Sequence, residues 1–339
     1  MTTHATPPVL GIPGATPELA ATLRGGLERV DALLREVVDH DDPFIAQASG
    51  HLLEAGGKRF RPLLTLLAAE LGDGINDDVV RAAAGVELTH LASLYHDDVM
   101  DDGRMRRGVT SANVAFGNST AILVGDLLFG KASELVAGLG AEAVLIQAQT
   151  FVRLCAGQIR DDRDCPEGVD PVDYYLGVLA DKTGVLIATA GRYGVMFSGG
   201  SAETAETLRL YGEKVGIAFQ LADDLIDIES ESGESGKLPG TDLREGVDTL
   251  AVLRARALAD PSRPQDARLL ELLDADLSDD DAAVAEALEL LRAHPGLEQA
   301  REETFAVARD AQRLLDPLPD SDAKAALQAL ALSVVERAG

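Results

Sequence analysis

Apolar residues recur along this chain at intervals of three and four for most of its length. Leu19, Leu23, Leu27, Val30, Leu34 and Val37 follow that spacing, which predicts an amphipathic helix over roughly Pro17 to Val38. A second apolar segment, PFIAQASGHLLEA, runs to the pair Gly56-Gly57. Pro62 suits the first turn of the helix RPLLTLLAAEL, and Gly72 closes it. Asp77 to Met100 is a long periodic stretch. Ser119 to Leu139 and Ala141 to Ile159 read as a helix pair parted at Gly138 and Gly140, with Ser119 as N-cap of the first. Pro171 to Val195 and Ala202 to Ile228 repeat the pattern. Glu229 to Gly246 breaks it: ESESGESGKLPGTDLREG is polar and Gly-rich, a loop and a candidate lid. Beyond it lie three or four more amphipathic helices, separated by PSRP, LSDDDA, HPG and DPLPDSD. No run of four alternating β-branched residues stands between turn signals, and no repeat of fixed period is present. The expected fold is all-α: a flexible tail over residues 1–16, then one large helical domain over 17–339.

Composition agrees with helix and narrows the partners. The chain has 339 residues, of which 46% are apolar, with no Trp. Lys and Arg number 30 against 57 Asp and Glu, a formal net charge of −27. Such a surface argues against nucleic acid and anionic membrane. The N-terminus has neither a basic segment nor an apolar core of a signal peptide, and no apolar run is long enough to span a bilayer. Cys155 and Cys165 are the two cysteines, too few for a disulfide framework. The expected setting is the cytoplasm.

Chemistry concentrates in two acidic clusters. The first is His96-Asp97-Asp98-Val99-Met100-Asp101-Asp102. Asp97 and Asp101 stand four apart, on one helix face a turn apart, where like charges repel unless a cation intervenes. The second, Asp223-Asp224-Leu225-Ile226-Asp227, has the same spacing and ends the apolar stretch GIAFQLA. Magnesium takes one or two carboxylates and leaves its other positions to water and phosphate oxygens. Two such motifs on separate apolar helices could clamp a diphosphate through metal ions if both point into one cavity. The acidic run Asp279-Asp280-Asp281 reads instead as a solvated helix cap.

Cations accompany the carboxylates. Gly56-Gly57-Lys58-Arg59-Phe60-Arg61-Pro62 places three of them at a helix start, where free N–H groups also favour an anion. Arg106 and Arg107 follow the first cluster and can reach back to phosphate oxygens. Lys182-Thr183 interrupts the apolar YYLGVLADKTGVLIATA, and Lys237 sits in the candidate lid. His90, two turns before Asp97, can donate a hydrogen bond to phosphate.

With GGKRFRP, ELTHLASLYHDDVMDDGRMRRG, GDLLFGKA, AGQIRDD, DKTG, GIAFQLADDLID and GKLPGTDLREGVDTL in this order, the chain resembles the trans-isoprenyl diphosphate synthases, or polyprenyl synthetases, from about Asp31 onward. The resemblance implies a helical bundle of the isoprenoid synthase type around a central cavity, a homodimer, and three magnesium ions per active site. It implies isopentenyl diphosphate at Lys58, Arg61, His90 and Arg107, and an allylic diphosphate at Arg106, Lys182 and Lys237. Metal ligands would come from Asp97, Asp98, Asp101, Asp223, Asp224 and Asp227. Thr183 and Gln220 fall where the family steadies a developing cation, and Gln158 and Asp161 match a further polar pair. Val247 and Ala251 stand where the family often has Lys and Pro.

Helical geometry places Ala92 and Ser93 one turn below the first carboxylates, with Thr89 and Gly85 further down. Short-chain members of the family often carry an aromatic there. Small residues point to a product longer than farnesyl diphosphate, although a small-residue stripe also serves close helix packing. Farnesyl or geranylgeranyl diphosphate synthesis is the nearer alternative. A class I terpene cyclase, or a non-catalytic subunit, would differ in kind. A cyclase would not need the second diphosphate site at Lys58, Arg61 and His90, and such subunits typically lose a carboxylate motif.

Overall fold

The computed structural model describes residues 13–230 and 239–336. Among them the helices run in order α1 (Pro17–Val38), α2 (Pro43–Glu54), α3 (Phe60–Ala69), α4 (Asp77–Met100), α5 (Ala112–Phe116), α6 (Asn118–Ala137), α7 (Ala141–Asp161), α8 (Pro171–Leu179), α9 (Val185–Phe197), α10 (Ala202–Glu229), α11 (Thr241–Arg244), α12 (Leu250–Leu258), α13 (Pro264–Leu273), α14 (Asp281–Ala293), α15 (Pro295–Leu314) and α16 (Asp322–Glu336). The strands β1 (Met105–Arg106) and β2 (Val109–Thr110) form a two-residue antiparallel hairpin, the sole sheet among the described residues. The fold is all-α, as the periodicity predicts. Five full helices follow the polar loop where the sequence suggests three or four. Lys237 and part of the candidate lid, 231–238, lie outside the described residues, as do residues 1–12 of the N-terminal tail.

The caps explain where several helices start. Pro17, Pro43 and Pro171 each stand in a first turn, behind the N-caps Thr16, Asp42 and Asp170, whose side chains accept backbone N–H groups. Asp280 caps α14 by accepting from the Ala283 N–H, the role expected of that acidic run. Helix α6 differs from expectation. It begins at Asn118, with Gly117 as N-cap and no side-chain cap bond, so Ser119 is already inside it. The reason is local: the N–H of Gly117 closes α5 onto Asn113, and its carbonyl at once accepts from Ala121.

The chain forms two compact units. The first comprises the described residues of Met1–Val152 with Leu186–Gly212 and Pro317–Ala329. Helix α4 is its axis and packs on α1, α3 and α6. Residues from Val79 to Ala92 of α4 are almost all buried except Arg81 and His90, the pattern of a helix surrounded by others. Leu63, Leu64, Leu66 and Leu67 of α3 fill the space beside it. The second unit comprises Arg153–Val185, Glu213–Asp316 and the described residues from Leu330. Helix α12 packs on α15 there, and α14 on α13 and α15.

Pro171 to Val195 is not the uninterrupted α-helix that the pattern suggests. Between α8 and α9 the chain makes one turn of π-helix, Ala180–Gly184. Its sequence, ADKTG, contains two of the candidate site residues.

Candidate active site

The basic corner of the first unit is built by strain and burial. Gly56 and Gly57 have positive φ, and Arg59 follows at φ 49 as the N-cap of α3. Among the described residues only Arg59, Asp102 and Arg107 are non-glycines with positive φ, and all three flank this corner or the first acidic cluster. Backbone strain of this kind persists where surrounding contacts hold it, often at functional sites. Arg107 and Gly108 turn the hairpin at φ 53 and φ 79, the signs of a type I′ turn. That turn returns Arg107 to the α2–α3 junction, where its guanidinium donates to Leu52 O (3.1 Å) and to Gly56 O. A Cβ on Gly57 would stand 2.9 Å from Cζ of Arg107, so only glycine lets this guanidinium lie there.

The three cations of the GGKRFRP turn separate by role. Lys58 is exposed. Arg59 turns inward: Nε donates to Asp31 (2.9 Å), Nη1 to Glu87 (3.1 Å) and Nη2 to Leu53 O (3.2 Å). Arg61 is partly exposed, but its Nε atom is buried, and burial pushes its guanidinium down to about 10. His90 lies in the same corner. Burial, with Arg61, Arg107, Arg106 and Arg59 around it, pushes the imidazole well below its ordinary range. The ring is therefore neutral at pH 7, with one nitrogen to donate.

The first acidic cluster closes α4, with Asp101 as its C-cap. Asp98 is fully buried and already engaged at both oxygens: Arg106 Nε donates to Oδ1 (2.7 Å) and the Ala112 N–H to Oδ2 (2.9 Å). It fastens the hairpin and α5 to α4. Asp97 is half-buried and Asp101 more open. Arg106 also reaches Asp101 at 3.7 Å.

The second cluster, in the second unit, repeats this arrangement. Its middle residue, Asp224, is buried, accepting from Tyr175 Oη and from Gln220 Nε2 (3.1 Å). Burial pushes its carboxyl up to about 7. Asp227 accepts from the Asp242 N–H (3.1 Å), and Asp223 is half-buried. The π turn lies in the same unit. A wider turn brings its backbone close to α7: a Cβ on Gly157 would stand 2.6 Å from the Lys182 amide nitrogen. Lys182 pairs with Asp161, while Gln158 donates to Asp162 (3.3 Å). Asp181 binds Arg153 and Arg160. Thr183 is half-buried.

Among the described residues no three His, Cys, Asp or Glu side chains gather into one ligand set. A protein cage of the structural zinc kind is not what this donor set builds. Two carboxylates one turn apart, Asp97 and Asp101, fit a hard ion that completes its shell with water and phosphate oxygens. Asp98 and Asp224 each have both oxygens engaged by the protein.

The residues below the first cluster are closely packed. Ala92 is fully buried, and Ser93 donates to His90 O (2.8 Å). Thr89, Gly85 and Val86 line a cavity of about 10 Å³ whose far side is formed by Gln147, Thr150, Thr189 and Tyr193. Its hydroxyls are paired: Thr150 with Thr189 at 2.6 Å, Thr89 to Gly85 O at 2.8 Å and Tyr193 to Ala143 O at 2.7 Å.

Glu87 and Tyr175 are site residues that the sequence reading leaves out. Glu87 carries a signal: it is the lone charge in AAAGVELTHLA, and an acid in such a run needs a buried partner. Tyr175 carries none, because its partner lies 49 residues away.

The sequence pattern of the polyprenyl synthetase family matches residues 42–291. The chain is 49% identical to the nonaprenyl diphosphate synthase of Mycobacterium tuberculosis, over 98% of each chain. Among solved structures it is similar to the geranylgeranyl pyrophosphate synthase of Corynebacterium glutamicum, solved with calcium and isoprenyl diphosphate. That likeness has a TM-score of 0.85 at 43% identity, over 96% of this chain and 98% of the other. It is likewise similar to a decaprenyl diphosphate synthase from Rhodobacter capsulatus, with a TM-score of 0.84 at 36% identity, over 95% and 99%.

Proposed function

The chain belongs to the polyprenyl synthetase family and is a trans-prenyltransferase; on that premise we propose that it joins isopentenyl diphosphate head-to-tail to geranyl, farnesyl or geranylgeranyl diphosphate, making an all-trans product longer than farnesyl diphosphate. The observation that carries this reading is the basic corner. Arg61, His90 and Arg107 share this corner, with Lys58 exposed on the same turn, and we read the four as a diphosphate site distinct in residues from the carboxylate motifs. A cyclase, with one diphosphate to hold, has no use for it.

Asp97 and Asp101 in the first unit, and Asp223 and Asp227 in the second, would each hold metal, which we take to be magnesium, three ions in all. Bound magnesium supplies a Lewis acid that draws charge from the departing diphosphate. Arg106 in the first unit and Lys182 in the second each carry a positive charge suited to a departing diphosphate, and the resemblance adds Lys237, which lies outside the described residues. The Thr183 hydroxyl and the Gln220 amide oxygen steady the allylic cation with their dipoles. The corner residues fix isopentenyl diphosphate so that its alkene attacks the cation, and a proton then passes to the released diphosphate. Apolar surroundings keep water from quenching the cation. Small side chains at Ala92 and Ser93 favour a longer product, and the near relative that makes nonaprenyl diphosphate agrees.

Homodimerisation is part of the proposal. Leu123 on α6, with Leu145 and Val152 on α7, are 66%, 57% and 67% exposed, and a second copy would cover them. No helix among the described residues is long and apolar enough to cross a membrane. Cys155 and Cys165 are unpaired, in keeping with a cytoplasmic setting. Incubation with labelled isopentenyl diphosphate, farnesyl diphosphate and magnesium tests the whole reading. Elongated prenyl diphosphates are expected; a hydrocarbon would mean a cyclase, and no product at all a non-catalytic subunit.

A further inference from the structure

Glu87 sits beneath the basic corner, 1% exposed, on the most enclosed stretch of α4. Its Oε1 atom accepts from Arg59 Nη1 at 3.1 Å and lies 4.0 Å from Arg107 Nη2. Its Oε2 atom is buried with no hydrogen-bond partner, and so is Arg61 Nε in the same corner. A buried carboxylate oxygen and a buried guanidinium N–H are both costly to leave unmatched. One carboxylate thus faces three guanidinium groups, two of which we assign to isopentenyl diphosphate. Among the charged neighbours of Arg61 and of Arg107, Glu87 comes first in holding each one charged against burial.

We propose that Glu87 is the resident counter-ion of the isopentenyl diphosphate site: it holds Arg59, Arg61 and Arg107 together in the free protein and competes with the incoming diphosphate for Arg61 and Arg107. The proposal rests on the assignment of that site made above. The competition has a direction. A fixed negative charge under the site lowers the potential that an anion meets, so it weakens diphosphate binding. It also removes the mutual repulsion of the guanidinium groups when no anion is there. Glu87 is therefore a positioning residue, stabilising the empty site and loosening the filled one, which suits a site that must give up its diphosphate after each condensation.

A merely structural Glu87 predicts the opposite sign for binding. Glu87→Gln keeps shape and removes charge. The variant is expected to melt at a lower temperature than wild type without ligand, yet to bind isopentenyl diphosphate in metal-free buffer about tenfold more tightly by calorimetry, or about 1.4 kcal/mol. In steady state its KM for isopentenyl diphosphate should fall, while KM for farnesyl diphosphate stays within about twofold. Binding equal to or weaker than wild type overturns the counter-ion. Asp31→Asn covers the case in which Glu87→Gln does not fold. Removing the other carboxylate on Arg59 commits that guanidinium to Glu87, and binding should tighten; unchanged or weaker binding overturns the proposal. Wild type that fails to bind isopentenyl diphosphate at all, while farnesyl diphosphate with magnesium still binds, overturns the site assignment and the counter-ion with it.

Discussion

Asp97 and Asp98 are neighbours in sequence that differ in burial, because a helix turns about 100° between them. Asp98 faces inward onto Arg106 and the Ala112 N–H. Asp98→Asn keeps the shape and loses the charge, leaving Arg106 short of its counter-ion. We expect a loss of about 2 kcal/mol by urea unfolding. Asp97→Asn should leave stability within about 0.5 kcal/mol and lower the rate at saturating magnesium by about a hundredfold or more. Similar losses of stability from both variants would put Asp97 in the core as well. His90 gives a pH signature at the same scale. Its pKa is depressed in the folded protein, so the folded state binds that proton less readily than the unfolded chain does. The stability tied to neutral His90 is present above the unfolded value, near 6.5, and is lost as pH falls below it toward the folded value. Thermal melts of the free protein should show a decline below about pH 6.5 that is shallower in His90→Gln. Equal slopes would mean that other groups account for it.

At the scale of elements, what was legible depended on whether the signal was local. The first helix was readable to the residue, because Pro17 and the three-four spacing from Leu19 to Val37 are properties of one segment. The π turn was not. An extra residue in ADKTG shifts the register of an otherwise apolar helix, and apolar residues flank it on all sides, so periodicity has no polar face against which to show the slip. The inward turn of Arg59 was equally hidden, since its partners Asp31 and Glu87 are each 28 residues away. The motifs themselves were plain in the sequence, yet which aspartate of each motif faces the protein was not. The π turn makes its own prediction. The Lys182 amide leaves no room for a side chain at Gly157. Gly157→Ala should displace the turn backbone, costing about 1–3 kcal/mol. Lys182 and Thr183 would move with it. Turnover should fall at least tenfold while the far-ultraviolet circular dichroism stays helical. A variant with wild-type turnover would show that the position of this turn is not critical.

For the molecule as a whole, charge and apolar surface pull in opposite directions. A net charge of −27 makes two copies repel, while α6 and α7 expose Leu123, Leu145, Phe151 and Val152 on faces that a solvated helix would fill with polar residues. Both effects act on any dimer formed through those faces, and salt separates them. Repulsion between acidic surfaces is screened within about 10 Å at 0.1 M salt, whereas apolar contact is not weakened. The dimer should therefore tighten as salt rises from about 0.01 M to 0.15 M, the reverse of an association held by ion pairs. Leu145→Asp with Val152→Asp adds charge to the face and removes its apolar area. This double variant should sediment as a monomer at every salt concentration, while wild type shifts toward dimer as salt increases. A wild type that dissociates with added salt, or a double variant that still sediments as a dimer, would place the interface elsewhere. The sign of the salt effect is thus the decisive reading, because in a protein this acidic an apolar contact gains from screening, whereas one held by ion pairs loses by it.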